Sequence, residues 1–363
     1  MEYMKPLFES HCHYHLYDLS PLSEAELLKE EFATTGVEKC CFLSIPLKYE
    51  LDGKKIFDPI HNFRGLFLKK YFSPNGYAFA GLIHPQNYDD IDMVSNYFLK
   101  QVKTYRSMGF DGMKMLEGYP TFIKYTGQGI DSPIYDKFYD FCEKNNFPIT
   151  MHIANPDENW DISKASKEAI DQGRVYSHDF PTKEEITSQM FNVLSKHPNL
   201  PLNLAHFGFF SHHYEDAIKF MSYKKTRLDI TPGGEQFIYI SNHWDLWKEF
   251  FIKYQDRIIY GSDFYPFIKN KDWTISFTRR PNFLRKWLET DSEHEYLGTK
   301  FRGVKLDDEI LKKIYMTNYE NILGNPKEIK ISLTIKEIDK LEKMNIKEKD
   351  KKDLIFIKEF LLK

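Results

Sequence analysis

Long apolar runs are missing from this sequence: no stretch reaches the roughly 18 apolar residues that a membrane-crossing helix needs. No membrane partner is therefore expected. Cysteine is scarce, with four residues in 363 (Cys12, Cys40, Cys41 and Cys142). They offer neither a disulfide framework nor a C-x-x-C zinc spacing. Cys40-Cys41 lies in an apolar run, where buried thiols are the plain reading. The start, Met1-Glu2-Tyr3-Met4-Lys5, lacks the charged-then-apolar order of a secretory signal. A reducing, cytoplasmic setting is the expectation. An excess of one charge is also missing. The net charge is −3 and no compact Lys/Arg run precedes the C-terminal tail, which argues against nucleic acid as the main partner.

What is present is an ordinary globular balance, 42% hydrophobic and 28% charged, in a chain long enough for one large α/β barrel or two ordinary domains. Aromatics reach 16%, and Tyr119, Phe122, Tyr125, Phe264, Tyr265 and Phe267 fall in polar loops, which suggests aromatic-walled clefts. Short β-rich runs alternate with longer amphipathic segments, the pattern of β-α units on a parallel sheet. The runs are Leu7–His13, Lys39–Ile45, Tyr77–Ile83, Gly112–Leu116, Pro148–Ile153, Leu202–His206, Arg227–Thr231 and Arg257–Tyr260. Helices are expected between them, among them Glu24–Ala33, Asp89–Met108 and Lys183–His197, the last opened by a Thr182-x-x-Glu185 capping box. The polar segment Pro46–Pro59 reads as a long loop, and Ile275–Glu289 and Asp307–Leu323 as closing helices. Eight strands, each followed by a helix, make a (β/α)8 TIM barrel over residues 1–324. Residues 325–363 read as a Lys/Glu-rich helical C-terminal extension, a solvated appendage or, more sharply, a dimerisation arm that would make a homodimer.

The residues that carry chemistry sit at strand ends. In Phe8-Glu9-Ser10-His11-Cys12-His13-Tyr14-His15, alternate residues of a strand share a face, so His11 and His13 can lean onto one ion while Cys12 points away. The pair His13 and His15 has the same spacing, but His11 and His13 lie closest to the apolar lead. The fifth strand ends in His152, the sixth in His206, and the eighth runs through Gly261-Ser262 to Asp263. Each alone has a bland explanation, a satisfied core histidine or a turn aspartate. Four such ends at the C-terminal face of one barrel, where barrel active sites lie, point to a divalent ion, zinc or another transition metal. Asp263 has a second use as proton acceptor for an attacking water.

This ordered set resembles the amidohydrolase superfamily, in its amidohydrolase-related branch of metal-dependent hydrolases and decarboxylases. The matching pieces are Phe8 to His13, Thr150-Met151-His152, Leu204-Ala205-His206-Phe207-Gly208, Tyr260-Gly261-Ser262-Asp263-Phe264-Tyr265-Pro266, and the ending Thr317-Asn318-Tyr319-Glu320-Asn321-Ile322-Leu323-Gly324. The resemblance implies His11, His13, His152 and Asp263 as ligands of a single metal, and His206 as a ligand or as the group that polarises the substrate. Glu9 departs from the branch's usual aspartate, and lies just before the ligands. Lys114, in the apolar strand Met113-Lys114-Met115-Leu116, must reach the barrel mouth or solvent. In binuclear relatives a carboxylated lysine bridges two metals; here the single-metal reading makes Lys114 an anchor for an anionic substrate group. Glu117 could bridge two ions, as a glutamate does in related barrel nucleases, from a Gly-Pro loop past the strand. Arg106 and Arg174 could bind a carboxylate, and His84, His178, His212 and His213 could line the mouth, with solvated surface or core packing as the default for each. The reading is a metal-dependent hydrolase whose metal-activated water attacks a C–N or C–O bond of a small anionic substrate. A decarboxylase on the same constellation is the runner-up, and a catalytically inactive binding barrel the third.

Overall fold

The structure, a computed structural model, describes the chain except for residues 1–3, 15–18, 47, 52–53, 59, 233–235, 266–270 and 297–298. His15, Phe267 and Pro266 of the sequence motifs lie outside the described residues.

Eight parallel strands form one sheet in chain order: β1 (Leu7–Cys12), β2 (Val37–Leu43), β3 (Gly76–Gly81), β4 (Gly112–Gly118), β5 (Ile149–Ile153), β6 (Leu202–Leu204), β7 (Thr226–Asp229) and β8 (Ile258–Ile259). The ring closes through backbone bonds beyond the short β8. Ser10 N donates to Tyr260 O at 3.2 Å, His13 N to Phe264 O at 2.8 Å, and Phe264 N to His11 O at 2.9 Å. The seam of the barrel is therefore made of the two segments that carry His11, His13 and Asp263.

Alternation sorts the strand residues into two layers. Met113, Met115, Ile149, Met151, Leu202, Leu204 and Leu228 face outward into the main core under the helices. Their neighbours Lys114, Thr150, His152, Asn203 and Asp229 thus face into the barrel. In β1 the alternation changes phase. Leu7 belongs to the outer core and Phe8 to the inner cluster, yet His11 also faces inward, because the pairing with β2 slips between Glu9 and Cys12. The floor of the barrel is apolar: Phe8, Cys41, Tyr77, Phe79 and Ile259 meet Tyr319 and Leu323 from the helix Asn318–Leu323.

Local sequence accounts for the surrounding helices. Pro21–Thr35 starts on Ser20, whose hydroxyl accepts from Ser23 N, and stops at Gly36 in the left-handed region. Lys183–Lys196 opens with both bonds of the Thr182/Glu185 capping box. Three expectations are corrected. The segment 46–59 is not simply a loop, since Lys48–Leu51 and Lys54–Phe57 pair as a hairpin. The closing segment 307–323 is broken by a π turn at Lys313–Thr317, between Asp308–Lys312 and Asn318–Leu323. The tail is not a solvated appendage: its helices Ile331–Leu341 and Glu348–Leu362 bury Ile338, Leu354, Ile357 and Leu361 in the main core.

Candidate metal centre

The C-terminal mouth of the barrel gathers the polar inward-facing residues. His11 Nε2 and His13 Nε2 lie 3.1 Å apart, and Asp263 Oδ1 is 3.7 Å from the first and 3.6 Å from the second. Among the described residues these three make the one group with metal-ligand spacing. Partners on the far side of each ring set the tautomers. His11 Nδ1 is 2.8 Å from Asp229 Oδ2 and His13 Nδ1 is 3.0 Å from Leu43 O. A proton at each Nδ1 donates to those oxygens, so both Nε2 lone pairs turn to the same point. Burial, with Lys114 and the other histidines adding to it, lowers both imidazoles; His13 falls to about 4. Two lone pairs and a carboxylate oxygen converge there, beside Lys114 Nζ at 3.3 Å from His11 Nε2, and make a set that a cation satisfies. Ligands about 2.0–2.1 Å from a common ion sit roughly 3–3.4 Å from one another, and the measured separations are close to that range. The donor set therefore fits a divalent metal.

Asp263 is presented by a backbone with φ 54°, the left-handed region that Gly261-Ser262 leads into. Burial would raise its carboxyl, but the Arg280 guanidinium beside it leads the opposing charges and holds the group well below the usual carboxylate range. Arg280 NH1 lies 3.1 Å from Asp263 Oδ2, which leaves Oδ1 to the histidines. Glu9 stitches the seam: Oε1 accepts from His11 N and Ser262 N, both at 2.9 Å, and Oε2 from the Ser262 hydroxyl at 2.6 Å. Burial pushes its carboxyl up to about 7 in spite of those bonds. The longer glutamate thus positions both segments, the one with His11 and the one with Asp263, a role that sequence position alone did not suggest.

The other expected residues stand beside the cluster. Lys114 Nζ is 3.3 Å from His11 Nε2, and burial, against the pull of Asp229, Asp263 and Glu117, lowers it to about 8. His152 is turned aside: its Nε2 is 3.1 Å from Ala154 O, and its ring lies against His206, centroids 4.8 Å apart. To join the other donors it must release that carbonyl or use Nδ1. His206 is not the end of a strand but the start of a left-handed turn, His206 to Phe209, with φ between 53° and 61°. Its backbone N donates to Asp229 Oδ1 at 2.8 Å and its Nδ1 faces Pro232 O at 3.1 Å. The turn is pinned at its far end by Lys183 Nζ, 2.8 Å from Phe209 O.

Glu117 lies within β4 rather than in a loop past it, and joins His84, not the histidine pair. His212 and His213 reach Glu158 and Asp157 at the rim, while Arg106, Arg174 and His178 are exposed. Sequence reasoning missed Asp229 and Arg280. Asp229 carried the same signal as Lys114, a charged residue in an apolar strand; Arg280 carried none, being one of several basic residues in the helix Lys271–Glu289.

The amidohydrolase family model matches residues 100–324, more than half of the chain. No curated protein matches the sequence. Among solved structures, the chain is similar to 4-oxalomesaconate hydratase from Rhodopseudomonas palustris, with 12% identity, a TM-score of 0.54, and coverage of 93% of this chain and 99% of that one. It is also similar to 2,6-dihydroxybenzoate decarboxylase complexed with 2,6-dihydroxybenzoate, with 15% identity, a TM-score of 0.51, and coverage of 88% and 99%. At these identities the likeness is one of fold.

Proposed function

The chain belongs to the amidohydrolase family, and from that premise we propose that it is a metal-dependent hydrolase of a C–N or C–O bond in a small anionic substrate. His11, His13 and Asp263 would hold one divalent ion, zinc by the donor set, with His152 completing the ligands. The observation that carries this is the convergence of two Nε2 lone pairs and Asp263 Oδ1 on one point. When bound, such an ion lowers the pKa of water and polarises a carbonyl. Asp263 Oδ1 accepts the proton of the attacking water and returns it to the leaving group, while Arg280 holds the other oxygen. His206, whose Nδ1 proton goes to Pro232 O, keeps an Nε2 lone pair that would serve as a further ligand to the ion. Lys114 anchors the anionic group.

One observation favours decarboxylation as a second reading. Lys114 Nζ lies 3.3 Å from His11 Nε2, so a carboxylate anchored there sits against the ligands themselves and could be the group that leaves. Metal analysis tests the common part. Purified wild type should hold about one ion per chain and His11→Ala much less; equal contents overturn the assignment. Turnover in ¹⁸O-labelled water then separates the readings, because a hydrolase puts label into its product, whereas a decarboxylase releases carbon dioxide and leaves its organic product one carbon shorter without a new oxygen from water.

A further inference from the structure

Asp229, the last residue of β7, is 1% exposed and touches two histidine-bearing segments at once. Its Oδ2 is 2.8 Å from His11 Nδ1. Its Oδ1 accepts from His206 N at 2.8 Å, from Thr231 N at 3.1 Å and from the Thr231 hydroxyl. The two oxygens are not equivalent. Backbone N–H groups can only donate, so the Oδ1 position must hold an acceptor. The Oδ2 position faces an imidazole nitrogen, which donates or accepts according to its tautomer. Thr231 Oγ1 stands 3.3 Å from the same nitrogen, and with its proton given to Oδ1 it can only accept there. Both neighbours of His11 Nδ1 therefore take a proton from it, which leaves the lone pair on Nε2. His206 is treated alike three residues further on: its Nδ1 is 3.1 Å from Pro232 O, an obligate acceptor. The segment from Asp229 to Pro232 thus holds the Nδ1 side of two rings whose centroids lie 5.4 Å apart.

We propose that Asp229 is the positioning residue of the metal centre: one carboxylate fixes the tautomer of His11 through Oδ2 and the backbone of His206 through Oδ1, so that both rings present Nε2 to one ion. This rests on the metal reading above. The His206 backbone needs such a hold, because its φ of 54° is unfavourable for a residue with a side chain. The carboxylate also leaves His11 a better donor, since a negative partner behind the ring raises the basicity of the nitrogen in front. A residue that only filled space at the end of β7 would do neither.

Asp229→Asn tests this with the shape kept. His206 N and Thr231 N still require an acceptor, so the amide oxygen takes the place of Oδ1 and the NH2 group that of Oδ2. The NH2 group then donates to His11 Nδ1, and the His11 proton moves to Nε2. There it points at His13 Nε2, 3.1 Å away, and occupies two donors at once. Long-range 1H–15N correlation spectra of chelated, histidine-labelled protein at neutral pH read the tautomer without any metal, the His11 signals being those lost in His11→Gln. The His11 proton should lie on Nδ1 in wild type and on Nε2 in Asp229→Asn. A site that had merely loosened would not exchange one tautomer for the other. Zinc affinity, measured in competition with a chelator, should be roughly 10- to 100-fold weaker in the variant, the scale for a partner behind a metal ligand. A wild-type His11 protonated at Nε2 overturns the proposal, and that spectrum decides even for a variant that does not fold. An unchanged tautomer in folded Asp229→Asn, or a reversed tautomer with unchanged zinc affinity, overturns it as well. Wild type that binds no zinc, with the His11 proton on Nδ1, overturns the metal reading instead and supports the Asp229 contact.

Discussion

At the scale of single residues, the site is a competition between burial and charge. Asp263 keeps its charge because the Arg280 guanidinium beside it outweighs its burial. In the proposed reaction it has two separable roles, ligand and proton acceptor. Asp263→Asn retains the shape and one oxygen but cannot take a proton. We expect the variant to keep its fold and at least part of its metal, and to lose roughly two to four orders of magnitude in kcat, the usual scale of general acid–base catalysis. A metal-loaded variant with near-wild-type kcat would transfer the base role elsewhere, His206 being the nearest choice. The histidines show the opposite balance. Burial, then Lys114, lowers His13 from 6.5 to about 4, so the folded site holds it neutral. Between those values the unfolded chain binds more protons than the folded one. The stability that His13 contributes is complete above about pH 6.5 and is lost as pH falls through about 4. Metal binding, which needs neutral imidazoles, has the same sign. The thermal midpoint of chelated protein should therefore fall on acidification across this window, and less steeply in His13→Asn. A midpoint that held or rose through the window would contradict the neutral assignment.

At the scale of elements, the strands were legible and the turns were not. Apolar runs bounded by turn residues marked all eight strands, because a parallel strand is covered on both faces and leaves a nearly continuous hydrophobic signature. The ends drifted where tertiary bonds replace the ladder. β8 keeps only Ile258–Ile259, since Tyr260 to Phe264 closes the ring with single bonds to β1. His206 looked like a strand end, yet it opens a left-handed turn that costs roughly 1–2 kcal/mol per non-glycine residue. What holds that turn, Asp229 at one end and Lys183 at the other, lies 23 residues on in the chain and on a different helix. No local pattern announces such partners. The same holds for Glu9, whose bonds to Ser262 span 253 positions. The two-residue spacing of His11 and His13 was readable because it is local; Asp229 behind His11 was not, because it is 218 positions away.

At the scale of the whole molecule, the open question in the sequence was whether the Lys/Glu-rich tail belongs to the barrel. Its composition hides the answer, because the charged residues face water while a minority of apolar ones do the packing. In the fold, Phe356 and Phe360 set their rings against Phe67 of the helix Ile60–Tyr71, centroids 5.7 and 4.8 Å away. A charged contact lies beside them. Arg64 is fully buried and places NH2 2.6 Å from Asp353 Oδ2 and NH1 3.2 Å from Glu24 Oε2. The lead into the tail is tied as well, with Lys327 N donating to Asp111 Oδ1 at 2.8 Å and Lys330 N to Met108 O at 3.0 Å. Truncation after Gly324 removes Asp353, one of the anions that the described residues set on a buried guanidinium, and bares the outer face of that helix. Leaving a buried charge short of a partner typically costs several kcal/mol, about 3–5 when pairing is lost altogether. The truncated chain should therefore aggregate or unfold rather than behave as a free barrel. A point change isolates the electrostatic share: Asp353→Ala, with Glu24 still in place, should cost about 1.5–3 kcal/mol, the range for a hydrogen bond to a charged group. Denaturant titration of the two proteins checks this. A soluble truncation with wild-type midpoint would show that the barrel stands without its tail, and that the Arg64 contact adds nothing to it.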